Sequence, residues 1–224
     1  MKVLIFDVET TGLLPKIINP SEVENYPHII QLSYILYDKE ENKIEESFNE
    51  YIIIGRKIRI PTIVTKLTGI RKEDCLKGVS IMTGIKKFYN AYKKASFIVA
   101  HNLEFDSKMI YIETIRNKEM ILSLDNELLK LSNIMNIEKE KAKYCTMKNG
   151  RGICNILKLS NDGKEYYLKW PKLIELYEKL FGESIENLHD SLVDTVACLR
   201  CYLKMSENIE LSNETTKNLI KNLK

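Results

Sequence analysis

The sequence is poor in cysteine, and its cysteines are not spaced to build a site. The five cysteines are odd in number and scattered along the chain, so they complete no four-ligand zinc site. Cys198 and Cys201 have the spacing of neighbouring turns on one helix, which is typical of small buried apolar side chains. These features argue against a zinc centre or a redox pair.

The sequence also lacks a signal peptide, a membrane span and a low-complexity linker. Met1 and Lys2 lead straight into an apolar run, so we expect an intracellular protein of the cytoplasm or nucleus, kept reduced and not secreted. With 224 residues, of which 44% are hydrophobic, the chain can bury a full core. We expect one catalytic domain over residues 1–205 and a polar tail over residues 206–224, and we favour a mobile tail there over a short partner helix.

Two carboxylates end the first predicted strand. Val3, Ile5, Asp7 and Glu9 alternate along this run, so they share one face of a strand. The first two can reach a core while the two acids emerge beyond it, and Gly12 then stops the strand. Adjacent carboxylates repel each other unless a cation neutralises them, and hard divalent cations prefer oxygen ligands.

Two later segments offer the same chemistry. A short apolar run ends before His101 and Asn102, and a helical pattern that carries Asp106 follows it. Near the C-terminus, His189 comes just before a helical pattern, and Asp194 lies about one turn inside it. The sequence therefore predicts acids gathered from three distant segments.

These residues, in this order and spacing, resemble the DEDDh exonucleases of the ribonuclease H-like superfamily, which remove nucleotides from 3′ ends. Asp7 and Glu9 match the first motif of the family, Asp106 the second, and His189 with Asp194 the third. The resemblance covers most of residues 1–204. The DEDDh family includes ribonuclease T and the proofreading subunits of bacterial DNA polymerases.

The resemblance implies a site with two Mg²⁺ or Mn²⁺ ions held by Asp7, Glu9, Asp106 and Asp194. It also implies that His189 takes a proton from the attacking water as general base. The ordinary pKa of histidine, near 6.5, suits that role at neutral pH. The products would be nucleoside 5′-monophosphates.

Residues next to the motifs are candidates for contact with the terminal nucleotide. By resemblance, the backbone of the first motif and neighbouring apolar groups hold the last base, and ordinary packing is the alternative role for these residues. The substrate-binding candidates are Thr10, Thr11, Gly12, Leu13, His101, Asn102 and Phe105. For His101 itself we expect mainly an orienting contact to Asp106 or to the backbone.

The expected fold is α/β. Three predicted strands, near residues 2–6, 29–37 and 48–54, have no long helix between them, which suits an antiparallel meander. Later strands that end at Ala100 and near Tyr144 lie between helical patterns. Together with the resemblance, this predicts a ribonuclease H-like mixed five-stranded sheet, with a three-strand antiparallel meander plus parallel strands, flanked by helices.

The charge balance permits nucleic-acid binding without requiring it. The net charge is +3, from 34 Lys and Arg against 31 Asp and Glu. With four acids neutralised by metal, the remaining surface would carry about +7, enough to attract phosphate. Between the second and third motifs, basic residues that include Lys148, Arg151, Lys164 and Lys172 are interleaved with Tyr144, Tyr166, Tyr167 and Trp170. This pattern could bind single-stranded bases, and a solvated basic surface with aromatics in the core is the alternative.

Three functions remain open at this point. The first is a 3′–5′ exonuclease acting on single-stranded DNA or mismatched DNA ends, for a separate DNA polymerase or in end trimming, or else an exoribonuclease. The second is a ribonuclease H-type endonuclease, disfavoured because the third motif has His189 five residues before Asp194. The third is a catalytically silent nucleic-acid-binding subunit, disfavoured because all four acids and the histidine are present. The motifs address phosphate and metal, so they do not separate DNA from RNA.

Overall fold

A mixed five-stranded sheet forms the centre of the protein. The computed structural model describes residues 1–135, 141–185 and 189–223. The strands lie in the order β3-β2-β1-β4-β5, with β1 to β3 antiparallel and β4 and β5 parallel to β1. They are β1 (Lys2–Thr10), β2 (Ile29–Asp38), β3 (Lys43–Tyr51), β4 (Phe97–Ala100) and β5 (Ala142–Cys145). The predicted meander followed by parallel strands is confirmed.

Helices cover both faces of this sheet, and a separate hairpin lies between α6 and α7 in the chain. The helices are α1 (Thr62–Thr68), α2 (Lys72–Leu76), α3 (Ile81–Lys94), α4 (Leu103–Arg116), α5 (Lys118–Leu124), α6 (Thr146–Cys154), α7 (Leu173–Phe181), α8 (Ser191–Glu207) and α9 (Asn213–Leu223). Two short strands, β6 (Leu157–Leu159) and β7 (Tyr166–Leu168), pair only with each other. Among the described residues, no helix is long and apolar enough to cross a membrane.

Alternation along β1 divides the core into two halves. Leu4 and Phe6 point into a cluster that includes residues of α3 and α4. Val3 and Ile5 point into a second cluster, formed with α7 and α8. Every one of these four side chains is fully buried, as the apolar run predicted. The acids that follow Val3 and Ile5 on the same face therefore emerge beside α8.

The third strand lies earlier in the sequence than predicted. The run of isoleucines at 52–54 suggested a strand there, but β3 is Lys43–Tyr51, and Ile52 makes only an isolated bridge to Val79. This strand is the edge of the sheet. Its many charged side chains suit an edge that faces solvent, and they hide the strand from a search for apolar runs.

The polar C-terminal segment differs from the expected mobile tail. Residues Asn213–Leu223 form α9, which contacts α8 and β3. Leu219 and Ile220 pack against the cluster behind α8, and Thr216 is buried. The prediction of a mobile tail was wrong because a few apolar residues, spaced along one face, are enough to attach an otherwise polar helix.

The segment between β1 and β2 is held in place by one arginine. It contains a 3₁₀ helix over Pro20–Asn25. The Arg116 guanidinium, at the end of α4, donates hydrogen bonds to the backbone carbonyls of Val23, Tyr26 and Pro27. It also forms a 2.6 Å ion pair with buried Glu113. This segment is thus fixed to the helix that carries Asp106.

Candidate active site

The first motif places one carboxylate oxygen in a buried position without a partner. Asp7 and Glu9 lie opposite Ser33 and Gln31 of β2, and the register of β1 shifts directly after Glu9. Within the described part of the chain, Asp7 Oδ2 is buried and accepts no hydrogen bond. A buried carboxylate oxygen usually has a hydrogen-bond partner or binds a metal. The orphaned oxygen of Asp7 therefore points to a cation.

The second motif brings Asp106 against the first. Asn102 adopts a left-handed conformation (φ 71°) between β4 and α4, and asparagine tolerates this conformation better than most residues. The chain then enters α4, where Asp106 is only 2% exposed. Asp106 Oδ1 accepts a 3.2 Å hydrogen bond from the backbone N–H of Val8, between the two acids of β1.

The third motif reaches the same place from the start of α8. Ser191 Oγ donates a 2.8 Å hydrogen bond to the backbone carbonyl of Asp7, which attaches α8 to the end of β1. Asp190 caps the helix by accepting from the Leu192 N–H at 3.0 Å. Aspartate is typical of this capping position.

His189 lies on an exposed turn in front of α8. Its backbone has φ 74°, and its N–H points to both carboxylate oxygens of Asp194, at 3.4 and 3.3 Å. Potential ligand atoms of Glu9, His189 and Asp194 all lie within 4.8 Å of one another. The structure thus brings the predicted general base beside two of the predicted metal ligands.

Burial raises the proton affinity of all four acids, and the charges of neighbouring acids add to this rise. Burial raises the pKa of Asp7 to about 7 and that of Glu9 to about 9, and the charge of Asp7 adds to the rise at Glu9. Burial and then the charge of Asp7 raise the pKa of Asp194 to about 8. The same two causes hold the pKa of Asp106 well above its usual range. Without a cation, the cluster therefore resists full ionisation at neutral pH.

The donor set fits a hard divalent cation. The four carboxylates offer oxygen atoms, which are the ligands that Mg²⁺ and Mn²⁺ prefer. Among the described residues, the group of possible metal ligands contains no cysteine. The buried, unpaired oxygen of Asp7 would gain its missing partner from such an ion. Positive charge would also relieve the repulsion that raises the four pKa values.

The threonines that follow Glu9 shape the chain at the end of β1. Thr10 Oγ1 donates to the carbonyl of Gly12 at 2.7 Å. Thr11 Oγ1 accepts from the N–H of His28 at 2.9 Å. Leu13, by contrast, is 87% exposed. Of these candidates for contact with the terminal nucleotide, Leu13 is the one with a free side chain, and the threonine hydroxyls are engaged within the protein.

The candidates around the second motif divide in the same way. His101, expected to make an orienting contact to Asp106 or to the backbone, contacts the backbone: its Nε2 lies 3.0 Å from the carbonyl of Pro171, and its Nδ1 lies 3.0 Å from Thr146 Oγ1. Burial lowers its pKa to about 4. Asn102 and Phe105 line a groove at the start of α4.

The same groove contains residues that motif analysis did not assign to the site. Its walls include Leu14, Pro15, Lys108 and Met147. Lys108 and Met147 belong to helices whose periodicity gives no sign of a groove, because the groove exists only where separate elements meet. Lys148 and Trp170 also line it, and the alternation of basic and aromatic residues in the sequence had indicated them.

The site and the fold define the class of protein. The family model described as an exonuclease, RNase_T, matches residues 4–202. The chain therefore belongs to this exonuclease family of nucleic-acid hydrolases.

Among individual proteins, the chain is similar to DNA polymerases of the PolC type. It is 29% identical over 136 residues to DNA polymerase III PolC-type of Mycoplasmopsis pulmonis, a match over 59% of this chain and 8% of that protein. It is 35% identical over 103 residues to the protein of the same name from Streptococcus pyogenes serotype M5, over 46% of this chain and 6% of that protein. The chain spans less than a tenth of the length of these relatives.

The fold is similar to that of Exonuclease I. The structure of E. coli Exonuclease I in complex with a dT13 oligonucleotide matches with a TM-score of 0.60 at 17% identity, over 92% of this chain and 42% of that one. Exonuclease I from Methylocaldum szegediense matches with a TM-score of 0.62 at 16% identity, over 92% and 41% of the two chains. At this identity the likeness concerns the fold.

Proposed function

We propose that this chain is a metal-dependent 3′–5′ exonuclease of the DEDDh type that releases nucleoside 5′-monophosphates. The observation that carries the proposal is the meeting of Asp7, Glu9, Asp106 and Asp194 beside His189, with one buried oxygen of Asp7 unpaired. Membership of the exonuclease family supports it. Four carboxylates with no positive partner would repel a phosphodiester unless cations neutralised them.

The residues divide into two roles. Asp7, Glu9, Asp106 and Asp194 hold two Mg²⁺ or Mn²⁺ ions, and Asp106 is kept in place by the N–H of Val8. When bound, these ions supply positive charge for the phosphodiester and lower the pKa of water. His189, exposed on its turn, accepts the proton of the attacking water.

The favoured substrate is single-stranded DNA or a mismatched DNA end. The similar relatives are DNA polymerases, and the similar structures include Exonuclease I bound to deoxyoligonucleotides. The alternative is 3′–5′ trimming of RNA, because the site addresses phosphate rather than the 2′ position of the sugar. A separate DNA polymerase is a further proposed partner, and the likeness to PolC-type DNA polymerases supports it.

Cleavage of end-labelled strands tests this function. The protein is incubated with Mg²⁺ or Mn²⁺ and matched 5′-labelled single-stranded DNA and RNA, each with a free or a blocked 3′ end. We expect a shrinking ladder from free ends only, and the preferred sugar is read from the two rates. Asp7→Ala serves as the matched inactive variant.

The other outcomes point to the other functions. Internal cuts in strands with blocked ends would support the endonuclease of the ribonuclease H type. Binding without any cleavage would support the silent nucleic-acid-binding subunit. Either result would overturn the proposed exonuclease.

A further inference from the structure

The only tryptophan of the chain is half-exposed beside the candidate active site. Trp170 is 46% exposed and lines the groove that also contains Phe105 and Met147. Asn102 also lines this groove, and Asn102 and Phe105 both belong to the second motif, in which Asp106 directly follows Phe105. A large aromatic ring left open at such a place is available for a ligand.

An arginine fixes the orientation of this ring. The Arg151 guanidinium lies 4.3 Å from the centre of the Trp170 ring. Its Nε and Nη2 atoms donate to the carbonyl of Leu168 at 3.0 and 2.6 Å. Two of the three guanidinium nitrogens of Arg151 are therefore engaged within the protein. Arg151 covers part of the indole by a cation–π contact and holds the rest in a set position.

A histidine fixes the backbone next to the ring. His101 Nε2 lies 3.0 Å from the carbonyl of Pro171, and its Nδ1 lies 3.0 Å from Thr146 Oγ1. Because a carbonyl only accepts, Nε2 carries the proton, and Nδ1 of the neutral ring accepts from the threonine hydroxyl. His101 follows β4 directly. The segment that carries Trp170 is thus attached to the strand end that positions the second motif.

The groove also carries an excess of positive charge. Lys108 and Lys148 line it together with Glu104. Lys108 Nζ is 2.7 Å and Lys148 Nζ is 3.7 Å from the Glu104 carboxylate. Two cations share one carboxylate, so a positive charge remains for a phosphate. An open aromatic face beside a cation is the combination that binds single-stranded nucleic acid.

We propose that Trp170 stacks on a base of the single-stranded segment that leads to the 3′ end, with Lys148 beside the adjoining phosphate. The proposal rests on the proposed exonuclease function and specifies its substrate as an unpaired strand. A paired base is already stacked within its duplex and would have to leave it to reach the indole. Arg151 and His101 act as positioning residues for this contact.

The single tryptophan allows a direct test. Fluorescence excited at a wavelength where tyrosine absorbs little reports on Trp170 alone, and an Asp7→Asn background keeps an oligothymidylate intact during titration. We expect quenching that saturates together with the anisotropy of a labelled oligothymidylate. In the same background, Trp170→Ala should weaken binding about 5- to 150-fold, the usual range for one stacked base, and Trp170→Phe should restore most of it.

Controls separate stacking from damage to the hairpin. Leu157 is 62% exposed on β6, in the hairpin that precedes Trp170, and it does not line the groove. Leu157→Ala should therefore leave the affinity for the oligothymidylate unchanged. Circular dichroism and melting temperature show whether each variant folds. Binding without quenching, or equal affinities for Trp170→Ala and Leu157→Ala, would overturn the stacking contact while leaving the exonuclease in place. Absence of both binding and cleavage in the wild-type protein would overturn the two together.

Discussion

The two sides of the candidate active site are built differently. Asp106 is 2% exposed and accepts from the backbone of β1, and the start of α8 is attached to the carbonyl of Asp7. His189, on the opposite side, is exposed on a turn with φ 74° and contacts Asp194 through its backbone N–H. The carboxylates are thus fixed by the core, while the imidazole is attached to the site only through a turn.

This difference matches two chemical tasks. Ligands for a metal ion must be preorganised, since their geometry sets the position of every reacting group. A proton acceptor needs access to water and a path to release the proton. We infer that changes on the carboxylate side should affect metal binding and stability, whereas changes at the His189 turn should affect the rate.

Removing one charge from the carboxylate side should have the largest effect. We expect Asp7→Asn to reduce cleavage to the uncatalysed background, because the orphaned carboxylate oxygen is central to the proposed metal site. The same change removes a charge that repels Glu9 and Asp194. Metal-free Asp7→Asn should therefore melt at a higher temperature than the wild type at about pH 8. Activity retained with Mg²⁺ would contradict the assignment.

Removing the imidazole should have the next largest effect. His189→Ala should lower the single-turnover cleavage rate roughly 10²- to 10⁴-fold, the usual contribution of a general base. Added imidazole should restore part of the rate in this variant but none in Asp7→Asn. A rate equal to that of the wild type would show that another group accepts the proton.

The metal-free protein should lose stability as the pH rises. The pKa values of Asp7, Asp194 and Glu9 are raised in the fold from 3.8, 3.8 and 4.5 to about 7, 8 and 9. The folded state therefore holds more protons than the unfolded state between these limits. This contribution to stability is full below about pH 4, falls as the pH rises above that value, and is lost once the pH has passed about 7 to 9.

Urea unfolding in EDTA at several pH values measures this loss. Mg²⁺ should reduce it by neutralising the cluster, and Asp7→Asn should show a shallower dependence because one repelling charge is gone. Equal slopes for the wild type and Asp7→Asn would mean that the four acids are not coupled as described.

The smallest effect is expected from removing the hydrogen bond that joins the start of α8 to the end of β1. Ser191→Ala removes the hydrogen bond to the Asp7 carbonyl, so it should lower the free energy of unfolding by about 1 kcal/mol and the rate by less than about tenfold. Thr195, whose hydroxyl donates to the Ser191 carbonyl within α8, is the matched control. Thr195→Val should lower stability similarly and leave the rate unchanged. An equal rate loss in both variants would argue against a specific role for the Ser191 contact.

The central sheet could be predicted from the sequence because it depends on local patterns, and a continuous apolar run located β1. Short motifs led to Asp7, Asp106 and His189, which the structure brings to the candidate site. The partners of His101 and Arg116 could not be predicted in this way. Each lies far along the chain, at Pro171 and in the segment before β2, and only the packing of the whole fold brings these groups together.

One measurement tests directly whether the carboxylates hold the metal while His189 accepts the proton. Because ligand atoms of His189 lie within 4.8 Å of those of Glu9 and Asp194, the imidazole could itself be a metal ligand rather than a base. Calorimetric titration of Mn²⁺ into the wild type and His189→Ala decides between the two roles. Unchanged metal affinity in this variant, together with its reduced rate, is the predicted result. A loss of metal affinity in proportion to the loss of rate would show that His189 holds the metal, and the separation of the two sides would be wrong.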